Sequence, residues 1–248
     1  METLDPTSPA PKRAPAIIKL GSSFISVSDY GDKETRNLLE MKWFKEDDIN
    51  KIMASKLIAR LEHRYDSEDS EWGDEQDSDH TAGVTLLLLL ELCEMDPDVL
   101  AAAESHNVLS RSIFSEREMK NLIGKAISPE SLRIIQIVTK TKENWGTYYD
   151  LILWDKKAAK LKVANRMYNL RCLDIFHVVE SNLTREHLEK AKEYIQETRN
   201  FILPIAERHH LRRHLLDEIE KAEKRISEIG PILTQRETEE GVRIALMP

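Results

Sequence analysis

The chain has 248 residues, and 41% of them are apolar, enough for a buried core and therefore against wholesale disorder. Eight glycines and nine prolines are too few for a barrel or sandwich of many short strands, whereas 32% charged residues with a net charge of -8 suit helices with solvated faces. Two cysteines, Cys93 and Cys172, are set in apolar runs and are expected as buried thiols, with a single disulfide as the alternative, and the most apolar run, 84–92, is shorter than the roughly 20 residues that span a bilayer.

Residues 1–16 hold four of the nine prolines and read as a disordered tail without a signal peptide's order of basic then apolar residues. Residues 17–31 are β-rich in composition and suit a short strand or an ordered arm. Leu38, Met41 or Trp43, and Phe44 then fall at helical spacing. Asp47 or Asp48 can cap the next helix, whose apolar stripe (Ile49, Ile52, Met53, Leu57, Ile58, Leu61) is broken only by Lys56 and runs to about Tyr65.

Residues 62–80 carry nine acids and one arginine. Like charges at that density resist folding, so 66–81 is expected to be a flexible acidic loop with Trp72 as an aromatic anchor. Thr81 is the expected cap of a helix through five consecutive leucines to about Met95. Asp96-Pro97, Ser115 with Glu118, and Ser128-Pro129 open three further helices. Asn144 either caps a helix over 144–171 or precedes a hairpin. Thr184 caps a helix interrupted at Pro204, and the apolar stepping resumes from Leu211 to Ile229, where Gly230-Pro231 reads as a stop. The 184–229 pair is a helical hairpin or one long kinked helix with a coiled-coil-like seam, and 232–248 is a tail. The expected fold is therefore all-α, with about eight helices: an N-terminal arm and helices over 17–65, and a main domain over 82–231.

Motifs for chemistry are scarce. There is no glycine-rich phosphate loop, no cysteine pair at zinc-ligand spacing and no nucleophile elbow. His210 and His214 are one turn apart, but Arg212 and Arg213 between them disfavour a cation. Neither a metal nor another cofactor is expected. Residues 111–172 are strongly basic, with thirteen Lys and Arg against six acids. Arg117, Lys120, Lys125, Arg133, Lys140, Lys142, Lys156, Lys157, Lys160 and Lys162 are the candidate polyanion contacts, and Trp145, Tyr148, Tyr149 and Tyr168 lie among them. Lys and Arg neutralise phosphates and aromatics stack on unpaired bases.

From the residues alone, the leading expectation is a non-enzymatic cytoplasmic or nuclear interaction module: a scaffold, adaptor or regulatory subunit. It would meet a protein partner or a second copy of itself through Trp72, Leu215, Ile219 and Ile226, with no membrane involved. The first alternative is an RNA or single-stranded nucleic-acid factor using the basic block, with the acidic loop competing for the same face. The second alternative is an all-α enzyme with a dispersed site. No motif identifies a family.

Overall fold

The computed structural model describes residues 17–20, 23–26, 31–63, 77–111, 116–173 and 184–245. The expected tail (1–16), most of the acidic loop and Trp72 lie outside them. Twelve α-helices follow a two-stranded antiparallel hairpin, β1 (Ile17–Leu20) with β2 (Ser23–Ser26), in which Ile17 faces Ser26 in register. They are α1 (Asp32–Met41), α2 (Glu46–His63), α3 (Asp77–Leu90), α4 (Pro97–Glu104), α5 (Val108–Arg111), α6 (Glu116–Ala126), α7 (Pro129–Val138), α8 (Tyr148–Trp154), α9 (Lys156–Arg171), α10 (Arg185–Glu197), α11 (Leu203–Arg208) and α12 (Arg212–Ala245). The fold is all-α, and no helix among the described residues is long and apolar enough to cross a membrane.

Three helices begin where the capping residues place them. Asp96 accepts from the amide of Asp98, Ser128 from that of Ser131, and Thr184 forms a capping box with His187. These side chains satisfy amides that a helix cannot pair internally. Five consecutive buried residues of α4, Val99–Ala103, and the leucine run of α3 form the centre, packed between α2, α7 and α9. Helix α9 in turn packs on α3, α8 and α12, so its two faces join the halves of the core.

Several boundaries differ from the sequence reading. Helix α3 starts at Asp77, inside the expected acidic loop, and Thr81 is a buried interior residue whose carbonyl accepts from Thr85 Oγ1. It stops at Leu90, earlier than Met95. Cys93 takes a left-handed φ of 50° and the Glu94 amide reaches back to the Leu88 carbonyl, which terminates a helix as a Schellman turn does. Cys93 is consequently exposed, contrary to the expected buried thiol, and the two cysteines are not joined. Trp43, with φ 65°, leaves α1 and is 92% exposed, while Phe44 packs on the core in its place.

Helix α2 begins at Glu46, so Asp47 and Asp48 lie in its first turn, where they offset the partial positive charge of free amides. Lys56, the apparent break in its stripe, is buried with Nζ 2.7 Å from Thr35 Oγ1. Asn144 is no cap: its side chain braces the preceding turn through the Thr141 amide and the Thr139 carbonyl. The 144–171 segment is helical rather than a hairpin, as two helices hinged at Asp155, which caps α9 through the Ala158 amide.

Pro204 does not end its helix. A π-helical turn, Thr198–Ile202, absorbs it, and the break comes later at His210, whose φ is 62°. Gly230-Pro231 is not a stop either, because α12 continues through it to Ala245. Pro231 leaves the Ser227 carbonyl without its amide partner, but both residues are exposed and water can serve it.

Leu215 and Ile219, proposed as contacts to a partner, are fully buried in the chain's own core, where α12 packs on α9 and α10. Ile226 is partly buried against the same core. The seam over 184–229 is thus filled from within.

Candidate functional site

The basic block meets a specific set of acids. Arg171 forks onto Glu91 at 2.6 and 2.7 Å and reaches Glu218 at 2.9 Å. Lys160 pairs with Glu94, Lys157 with Asp96 and Glu130, and Arg133 with Glu130 and Asp155. Three of these acids, Glu91, Glu94 and Asp96, come from the connection between α3 and α4. Of the ten residues singled out as polyanion contacts, Arg133, Lys157 and Lys160 are therefore held in ion pairs. Arg117, Lys125, Lys142 and Lys156 are exposed and scattered, and Lys120 borders a separate hollow with Glu143 and Asn144.

The remaining two, Lys140 and Lys162, converge on one cavity of about 250 Å³. Its wall brings together the end of α4, α7, α8, α9 and α10: His106, Asn107, Lys140, Tyr148, Tyr149, Lys162, Asn165, Arg166 and Glu197 all contribute. On the aromatic side, Lys140 Nζ sits 3.8 Å from the Trp145 ring centroid and 5.8 Å from those of Tyr148 and Tyr149, and Lys162 Nζ lies 5.3 Å from that of Tyr148. Negative ring faces hold ammonium groups in this way without neutralising them. Tyr149 stacks on Phe201 at 4.6 Å, and the buried Tyr148 donates its hydroxyl proton to the Val138 carbonyl at 2.7 Å.

The floor is ordered by Arg166, 5% exposed, which donates to Glu197 Oε2 at 3.2 Å and to Thr198 Oγ1 at 3.2 Å and stacks 4.0 Å from the Tyr194 ring centroid. Tyr149 donates to the other oxygen of Glu197. Burial disfavours the charged form of Glu197, but the bonds from Tyr149 and Arg166 outweigh it and hold its carboxyl below the usual range. Burial, with Arg166 adding repulsion, pushes the Lys162 ammonium down to about 7. The cavity therefore brings the Glu197 carboxylate together with Lys140, Arg166 and a lysine, Lys162, that titrates near neutrality.

At its inner end, His106 Nδ1 lies 2.7 Å from the Ala103 carbonyl, which makes Nδ1 the donor. His80 packs 5.3 Å from the His106 ring and 5.1 Å from Tyr168. Asn165 Oδ1 is buried without a hydrogen-bond partner among the described residues. A histidine oriented by a backbone carbonyl resembles a metal ligand. The neighbouring oxygens, however, belong to the amides of Asn107 and Asn165, and among the described residues no three His, Cys, Asp or Glu side chains come together to hold a metal ion. The histidines weighed in the sequence lie elsewhere: His210 and His214 are both exposed, at the break before α12 and in its first turn.

His80, His106, Asn107, Asn165 and Glu197 were not singled out from the sequence. They lie far apart along the chain, and the one local signal is the polar pair His106-Asn107 just after the buried run of α4, Val99–Glu104.

No family model matches the chain. It is 23% identical over 194 residues to the bifunctional (p)ppGpp synthase/hydrolase SpoT of Escherichia coli K12, and equally to the guanosine-3′,5′-bis(diphosphate) 3′-pyrophosphohydrolases of Escherichia coli O157:H7 and Shigella flexneri. The match covers 73% of this chain, and the chain spans about a quarter of the length of these relatives. A solved structure described as a metazoan ortholog of SpoT that hydrolyzes ppGpp superposes with a TM-score of 0.45 at 22% identity, covering 65% of this chain and 95% of that one. The curated relatives are enzymes acting on a phosphorylated guanosine, which overturns the expectation of a non-enzymatic scaffold, adaptor or regulatory subunit. Of the readings drawn from the sequence, an all-α enzyme with a dispersed site is the one that agrees with them.

Proposed function

We propose that the chain is a nucleotide pyrophosphohydrolase of the guanosine 3′,5′-bis(diphosphate) type, with the cavity between α4, α7, α8, α9 and α10 as its substrate site. The observation that carries this reading is the convergence of Lys140, Lys162 and Arg166 with an aromatic wall in one cavity. Clustered cations attract a diphosphate, and Tyr148 and Tyr149 line the same cavity beside them. Ionised Glu197 is the carboxylate of this wall and the group able to accept a proton from an attacking water. The curated relatives supply the substrate class.

The test is direct. The full chain, incubated with guanosine 3′,5′-bis(diphosphate), is expected to release pyrophosphate and leave guanosine 5′-diphosphate. Glu197→Gln should still bind the nucleotide while losing most of the turnover. Neither release nor saturable binding at millimolar nucleotide would refute the reading.

A further inference from the structure

Pyrophosphate hydrolysis is commonly assisted by a divalent cation, which histidines and carboxylates hold and which neutralises phosphate charge. The inner end of this cavity has the histidines but lacks the carboxylates. Asn107 and Asn165 carry neutral amides, weak donors to a divalent ion, and Asn165 Oδ1 is buried without a hydrogen-bond partner among the described residues. The carboxylate that does line the cavity, Glu197, is engaged by Tyr149 and Arg166, and among the described residues it forms no group of three potential metal ligands with the histidines. A divalent metal therefore does not fit this donor set, and no step is drawn through one.

What the cavity has instead is positive charge supplied by the protein. Lys140 and Lys162 are held over aromatic rings rather than against carboxylates, whereas Arg166 is paired with Glu197 through both terminal nitrogens. An aromatic face anchors an ammonium while leaving its charge available to an incoming anion; a carboxylate would cancel it. This distinguishes these two lysines from Lys157 and Lys160 on the other side of α9, which are consumed by Asp96, Glu130 and Glu94.

We infer that this cavity binds the diphosphate of its ligand through Lys140 and Lys162 without a divalent metal ion, the place of the metal's charge being taken by these two side chains. The inference rests on the proposed nucleotide site for its biological ligand, but its physical content concerns diphosphate and metal alone.

Two titrations test it, using inorganic pyrophosphate and Mn²⁺ as probes of the full chain. Pyrophosphate is expected to bind with the same affinity in EDTA and in Mn²⁺. Lys140→Ala and Lys162→Met should each weaken it about tenfold or more, the scale of one charge-assisted hydrogen bond. Mn²⁺ alone should show no saturable binding to the natural chain and should gain it in the Asn107→Asp, Asn165→Asp double variant. Saturable Mn²⁺ binding by the natural chain that is lost in His106→Ala would overturn the inference, as would pyrophosphate binding that requires Mn²⁺ or is absent altogether. The natural chain decides the matter even if the double variant fails to fold. Metal-independent pyrophosphate binding without any binding of guanosine 3′,5′-bis(diphosphate) would support this inference while refuting the proposed substrate.

Discussion

Gly83 is the position at which the packing beneath the cavity is most sharply testable. A Cβ placed there would lie 2.1 Å from Tyr168 Cε2 and 2.5 Å from Cζ, where ordinary contacts are 3.4–4 Å. The ring cannot retreat, because Tyr168 is fully buried and its own helix, α9, is packed on α3 and α12. Gly83→Ala therefore either strains the core, at about 3 kcal/mol for severe overpacking, or ejects the ring, at about 3–5 kcal/mol for an emptied aromatic site. Alanine's better helix propensity returns about 1 kcal/mol. The expected net loss is about 2–4 kcal/mol by urea unfolding. Once Tyr168→Ala has removed the ring, the same substitution should become stabilising by about 1 kcal/mol, since only the helix term survives. Because Tyr168 also packs on His80, which packs on His106, the single variant should weaken pyrophosphate binding too. A Gly83→Ala protein as stable as the natural chain would refute the proposed close approach of α3 and α9.

Pyrophosphate affinity should be highest below pH 7 and fall as the pH rises through that region, because Lys162, held at about 7, then loses its charge; a bound anion shifts the fall upward, and calorimetry on Lys162→Met should show a flatter profile. Arg171→Met leaves Glu91 and Glu218 facing each other in a largely buried position. It should destabilise the fold by about 3–5 kcal/mol in thermal or urea unfolding, far more than loss of an exposed ion pair. Glu130 is held at about 2 by Arg133 and Lys157. A carboxyl depressed on folding stabilises the native state above its ordinary value near 4.5 and loses that contribution as the pH falls toward 2. The decline in urea midpoint over that interval should therefore be shallower in Glu130→Gln.

The helices opened by a capping residue followed by proline were legible because their signals are local: a side-chain oxygen, a missing amide donor and an apolar face within a few residues. The misread boundaries turn on contacts that lie further off. Thr81 looks like a cap until its burial among the helices makes it a core residue, and Pro204 and Pro231 look like stops until a π turn and a solvent-facing carbonyl accommodate them. The site was harder still. Lys140 and Lys162 were among ten candidates with no sequence feature to separate them from Lys157 or Lys160. His106 and Asn165 are united only by the packing of α4 on α9.

That packing also explains why a basic block in an acidic chain does not become an open polyanion surface. The segment joining α3 and α4 is rich in acids, and the fold lays it along α9, so that Glu91, Glu94 and Asp96 neutralise Arg171, Lys160 and Lys157 in turn. The acidic loop expected to compete for this face is not needed for that neutralisation. On the other side of α9, where the neighbours are Tyr148 and the end of α4 rather than the acidic segment, Lys162 keeps its place in the cavity over an aromatic ring. The position of each lysine on a single helix thus decides whether its charge stabilises the fold or remains available to a ligand, and the boundary between the two roles is the rim of the cavity.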